Sequence, residues 1–136
     1  MSINIWSILI ASIVSFIIGA IWYSPAIFGK QWMTLTNTGP KDITVAQTKG
    51  MWKLYGIQFL LFIVTMFILG FAIATMQIST AIDGATLGLL AWIGFYATSG
   101  IGSILWERKP LKLVLISTGA MLLNLIISGA ILGGWR

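Results

Sequence analysis

Four stretches of this chain, 3–23, 54–76, 82–105 and 112–134, are apolar almost throughout, and this constrains the fold more than any other feature. A helix rises about 1.5 Å per residue, so each is close to the ~20 residues that cross roughly 30 Å of hydrocarbon. Their only charges are Asp83 and Lys112, at the starts of the last two. Of the 136 residues 58% are hydrophobic and 8% charged. Soluble domains carry about 25% charged residues, so this chain lacks the polar surface to face water. The sequence therefore predicts an all-α, polytopic membrane protein. Four transmembrane helices form a single bundle over 1–136, with a short interfacial amphipathic helix after the first.

The first apolar run stops at Gly19-Ala20-Ile21-Trp22-Tyr23-Ser24-Pro25-Ala26-Ile27-Phe28-Gly29-Lys30-Gln31-Trp32. The residue before a proline avoids helix, and Ser-Pro suits an N-cap followed by the first helical position. A new helix is thus expected to start at Ser24-Pro25. Phe28, Trp32 and Leu35 fall at i, i+4 and i+7 on one face, with Lys30 and Gln31 on the other. Trp22, Tyr23 and Trp32 fit the aromatic belt of a membrane interface. A fixed bend there, with Trp22 or Tyr23 packed on Tyr96 to Ser103, would account for the spacing. The loop 24–53 continues through Gly39-Pro40, where another helix can begin with Asp42 in its first turn. Met1 to Asn4 carries no basic residue, so the first span reads as retained rather than as a cleaved leader.

Polar groups inside the spans are few. Ser7, Ser12 and Ser15 can bond back to their own helix. Gln58, Thr65, Gly70 and Thr75 punctuate the second span. Asp83 suits the first turn of the third, with a proton-handling carboxylate as the alternative. Gly84-xxx-Gly88 and Gly129-xxx-Gly133 are small-xxx-small patterns that let helices approach closely. They are candidate helix-packing positions, including between copies of the chain. Asn124 is an amide deep in the fourth span, suited to bonding across helices or to touching a ligand. With Tyr23, Ser24, Tyr96, Thr98 and Ser99 it forms a candidate polar pathway.

Net charge is +5, and every basic residue except Arg136 lies in the first or third connection or, as Lys112, at the span end beside the third. The positive-inside rule then places loops 24–53 and 106–111 in the cytoplasm and both termini outside. Arg108, Lys109 and Lys112 are candidate contacts for lipid headgroups, or else serve topology alone. The basic residues form no stripe, which argues against nucleic acid as a partner. The chain has no cysteine and no histidine, which removes thiolate and imidazole chemistry and the usual zinc and haem ligands. Asp83 aside, the spans carry no acidic side chain, and Lys112 is their only basic one, so proton or ion coupling is not expected. No catalytic residue, cofactor or metal is predicted. An enzyme working through Glu107 or Asp83 would need one of them to face a pocket.

The Gly19–Trp32 string resembles the hallmark of the bacterial domain-of-unknown-function family 1761, with its Trp-Tyr-Ser-Pro, Phe-Gly and Trp elements. Trp92-Ile93-Gly94-Phe95 and Trp106-Glu107-Arg108-Lys109-Pro110-Leu111-Lys112 are similar to its second recognisable region. The resemblance implies four membrane helices in a bacterial inner membrane and supplies no catalytic residue. Two functions remain open. One is a non-enzymatic protein acting through an oligomeric or partner interface. The other is a carrier or channel for a neutral or lipid-like molecule. The two helical hairpins also suggest a parallel internal repeat.

Overall fold

The computed structural model describes residues 3–24, 26–36 and 51–135. Its helices are α1 (Ile5–Trp22), α2 (Gly29–Leu35), α3 (Met51–Thr75), α4 (Ala81–Trp106) and α5 (Leu111–Gly134). Four of them, all but α2, are long and apolar enough to cross a membrane. The helix expected from Pro40, with Asp42, lies outside the described residues.

Local chemistry sets the ends. Asn4 caps α1 by accepting the Trp6 N–H, and Thr80 caps α4 by accepting the Asp83 N–H at 3.1 Å. Asp83 therefore sits in the first turn, where a negative charge complements the helix dipole. α3 stops in a Schellman arrangement. The Ile78 N–H donates to the Ile73 carbonyl at 3.0 Å and the Gln77 N–H to the Ala74 carbonyl at 3.2 Å. This needs a left-handed residue, and Gln77 takes it at φ 57°. Arg108 does the same at φ 55° past the end of α4.

The expectation for Ser24-Pro25 is corrected. The helix after the first span starts at Gly29, and Ser24 does not cap it. Instead the Ser24 hydroxyl donates back to the Ile21 carbonyl at 2.7 Å, which closes α1. The Ser24 carbonyl then accepts the N–H groups of Ile27 and Gly29, so a tight turn separates the two helices. Along α2, Lys30, Gln31 and Thr34 are exposed while Trp32 and Leu35 are half-buried.

The bundle is built around α5. α4 and α1 both pack along it, and α3 lies against α1 and α5. The apolar core consists of Ile8 and Ala11 of α1, Met66, Leu69 and Ile73 of α3, and Leu125 and Leu132 of α5. α4 contains a π-helical turn, Trp92–Ala97, which the apolar pattern of the sequence does not announce. Hydroxyls just after it bond back to its carbonyls. Thr98 donates to the Gly94 carbonyl at 2.8 Å and Ser99 to the Phe95 carbonyl at 2.6 Å.

Candidate functional site

The polar centre of the bundle lies where α1 meets α5. Ser7, Ser12 and Ser15 repeat on the face of α1 that carries Ile8 and Ala11, and all are buried. On α5, Asn124 and Ser128 are one turn apart, and only 3% and 0% of their surface is exposed. Ser15 Oγ stands 2.7 Å from the Ala11 carbonyl and 2.5 Å from Asn124 Oδ1, so its single proton lies between two acceptors. Ser128 Oγ donates to the same Oδ1 at 3.2 Å and lies 3.3 Å from Ser15 Oγ. The Asn124 amide nitrogen approaches Met121 Sδ at 4.0 Å. Ser7 and Ser12 close on the carbonyls of Asn4 and Ile8. Among the described residues no buried side-chain polar atom is left without a partner. The centre is a closed hydrogen-bond network, and Asn124 is its acceptor hub.

The remaining members of the predicted polar pathway do not join it. Thr98 and Ser99 are exposed on α4 and bond within their own helix. Tyr96 packs on the apolar core. Ser24 is spent on Ile21, and Tyr23 packs edge-on against Trp32 with ring centres 5.9 Å apart. A shallow cleft at the other end of the bundle is lined by other residues, among them Asn4, Ser7, Gly70 and Trp135.

A second assembly explains the spacing of the Gly19–Trp32 string. Its aromatics pair as Trp22 with Phe28, ring centres 4.7 Å apart, and Tyr23 with Trp32. A Cβ on Gly29 would run into the Tyr23 carbonyl and lie 2.8 Å from the Ser24 carbonyl carbon, so only glycine fits this return. Trp22 reaches α5. Its Nε1 donates to the Ile116 carbonyl at 2.8 Å, and a Cβ on Gly119 would lie 3.0 Å from its Cζ2. From the π turn of α4, Trp92 Nε1 donates to the Thr118 carbonyl at 2.7 Å. Two indoles from different helices thus grip one turn of α5. A carbonyl keeps a second lone pair inside a helix, so it can accept both bonds. Sequence reasoning named Trp22 and Asn124 but missed Trp92, Ser15 and Ser128 as their companions. The i, i+4 spacing of Asn124 and Ser128 was the available signal.

The four glycines of the small-xxx-small patterns all lie in the α4–α5 contact within the chain. The Gly129 carbonyl occupies the place of a Cβ on Gly84, and the Gly84 carbonyl that of a Cβ on Gly129. Gly88 faces the Leu125 carbonyl, and Gly133 faces Thr80 and Gly84. All four are buried, so none has a free face for a second copy. At the opposite end of these helices, Lys109 pairs with Glu107 at 3.3 Å, both exposed, beside Arg108 and Lys112. The two acidic residues of α4 and its C-cap, Asp83 and Glu107, lie at opposite ends of that helix.

A family model described as "Protein of unknown function (DUF1761)" matches residues 6–133. No curated protein and no solved structure matches the chain.

Proposed function

We propose the following role for this chain, which belongs to the DUF1761 family of proteins of unknown function: it acts as a non-enzymatic membrane protein, through contacts of its lipid-facing surface with a second copy or another membrane protein. The observation that carries this reading is the closed polar centre. Ser15 and Ser128 converge on Asn124 Oδ1 and the Asn124 amide nitrogen turns to Met121 Sδ, so the groups that could hold a solute hold the bundle together instead. The carrier reading asks Tyr23, Ser24, Tyr96, Thr98, Ser99 and Asn124 to face one space, and they are spread over separate surfaces with separate partners. We place the chain in a bacterial inner membrane with both termini outside. Every described basic residue, Lys30, Lys53, Arg108, Lys109 and Lys112, belongs to the bundle end where α1 and α4 finish and α3 and α5 begin. That supports a cytoplasmic, headgroup-contacting end, worth about 1 kcal/mol per cation on anionic lipid. Step-counting of single-molecule photobleaching in liposomes tests the role. Two or more copies per particle are expected at low protein density; a chain that stays single at every density, with no stoichiometric partner in native membranes, refutes it.

A further inference from the structure

Gln58 belongs to α3, inside an apolar stretch, and its side-chain amide is exposed and makes no hydrogen bond among the described residues. It lies at membrane depth. Phe16 packs edge-on against Tyr55 and Phe59, on the turn that carries Gln58, with ring centres 5.9 and 6.3 Å apart. Phe16 in turn sits roughly 9 Å along α1 inward of Trp22, at 1.5 Å per residue. Half-buried Thr65 and exposed Thr98 and Ser99 solve the same problem by bonding to their own helices. A glutamine amide has two donors and an acceptor to satisfy, and hydrocarbon offers none.

The surroundings say what satisfies it. In this half one face of α3 packs on α1 and the rest is open: Leu54, Ile57, Leu60 and Leu61 are 58%, 55%, 61% and 53% exposed, and the first fully buried residue is Met66. Leu54, Gln58, Leu61 and Thr65 follow one another at steps of four, three and four. That is the spacing of a two-stranded coil's seam, with Gln58 and Thr65 as its polar positions, and the Thr65 hydroxyl is already bonded to the Leu61 carbonyl. Copies inserted with the same topology present Gln58 at the same depth, and an amide is complementary to itself across a two-fold axis. We infer that α3 pairs in parallel with α3 of a second copy along Leu54, Gln58, Leu61 and Thr65, with the two Gln58 amides bonded to each other. This rests on the proposed role above and gives it a face, in place of the glycines already used inside the chain.

The chain has no cysteine, so single cysteines report cleanly. Oxidative crosslinking in native membranes is expected to give dimer from Leu54→Cys, Gln58→Cys and Leu61→Cys, and several-fold less from Ile57→Cys and Leu60→Cys. Gln58→Leu should weaken the dimer at least tenfold by native mass spectrometry, while Gln58→Asn retains much of it. Gln58→Leu adds apolar surface on a lipid-facing position, and circular dichroism checks that its monomer stays folded. Crosslinking without this periodicity, or a Gln58→Leu dimer as tight as wild type, overturns the α3 pair while leaving the broader role standing. A wild-type chain that is monomeric in membranes overturns both.

Discussion

Replacing Gly84 by alanine tests the close α4–α5 approach with one methyl group. The new Cβ would land on the Gly129 carbonyl, and the obstacle is backbone, so the helices must separate. Overpacking of this kind costs about 1–3 kcal/mol. Separation also loosens the reciprocal Cα–H contacts of Gly84 and Gly129 with each other's carbonyls, about 0.5–1 kcal/mol each. Alanine is the better helix former by roughly 1 kcal/mol, which offsets part of the loss. The net expectation is a destabilisation of roughly 1–4 kcal/mol on those figures. Gly102 is the control, since it lies on the same helix and a Cβ there meets nothing within 4 Å. Gly102→Ala should be neutral or stabilising by up to about 1 kcal/mol. Equilibrium unfolding in mixed micelles, followed by tryptophan fluorescence, measures both. If Gly84→Ala loses no more stability than Gly102→Ala, the account of this seam is wrong.

Trp22→Phe keeps an aromatic ring over Gly119 and deletes the N–H that reaches the Ile116 carbonyl. It should cost about 0.5–1.5 kcal/mol in the same assay, against about 3–5 kcal/mol for Trp22→Ala, which also opens a cavity. Equal losses would mean that the indole hydrogen bond contributes nothing separable from packing. Gln77→Gly relieves a left-handed residue at the end of α3 and should stabilise by about 1 kcal/mol. A loss of stability there would show that the glutamine side chain has a role the turn geometry does not require.

The spans were legible because lipid imposes a simple rule: a backbone that cannot bond to water must bond to itself over the full thickness. Apolar length alone therefore located α1, α3, α4 and α5. Caps were less legible. Thr80 and Asp83 behave as their residue types suggest, but Ser24 does not, because its hydroxyl found a closer acceptor at the end of the helix it follows. The π turn gave no signal, since adding one residue to a turn barely disturbs an apolar pattern.

By itself the sequence determined that this chain crosses a membrane four times, that its basic residues gather in two connections, and that no cysteine or histidine chemistry is open to it. Tertiary structure decided who meets whom. The same Gly-xxx-Gly spacing serves a contact within one chain or between two, and only the packing of α4 on α5 shows that Gly84 and Gly129 face each other. Asn124 could have lined a path, yet Ser15, far away in sequence, reaches it and closes the centre. Trp22 could have marked an interface alone, yet it reaches into α5. Periodicity states which face of a helix is special. Its partner is fixed by how the helices dock, through pairings distant in sequence that leave no local pattern.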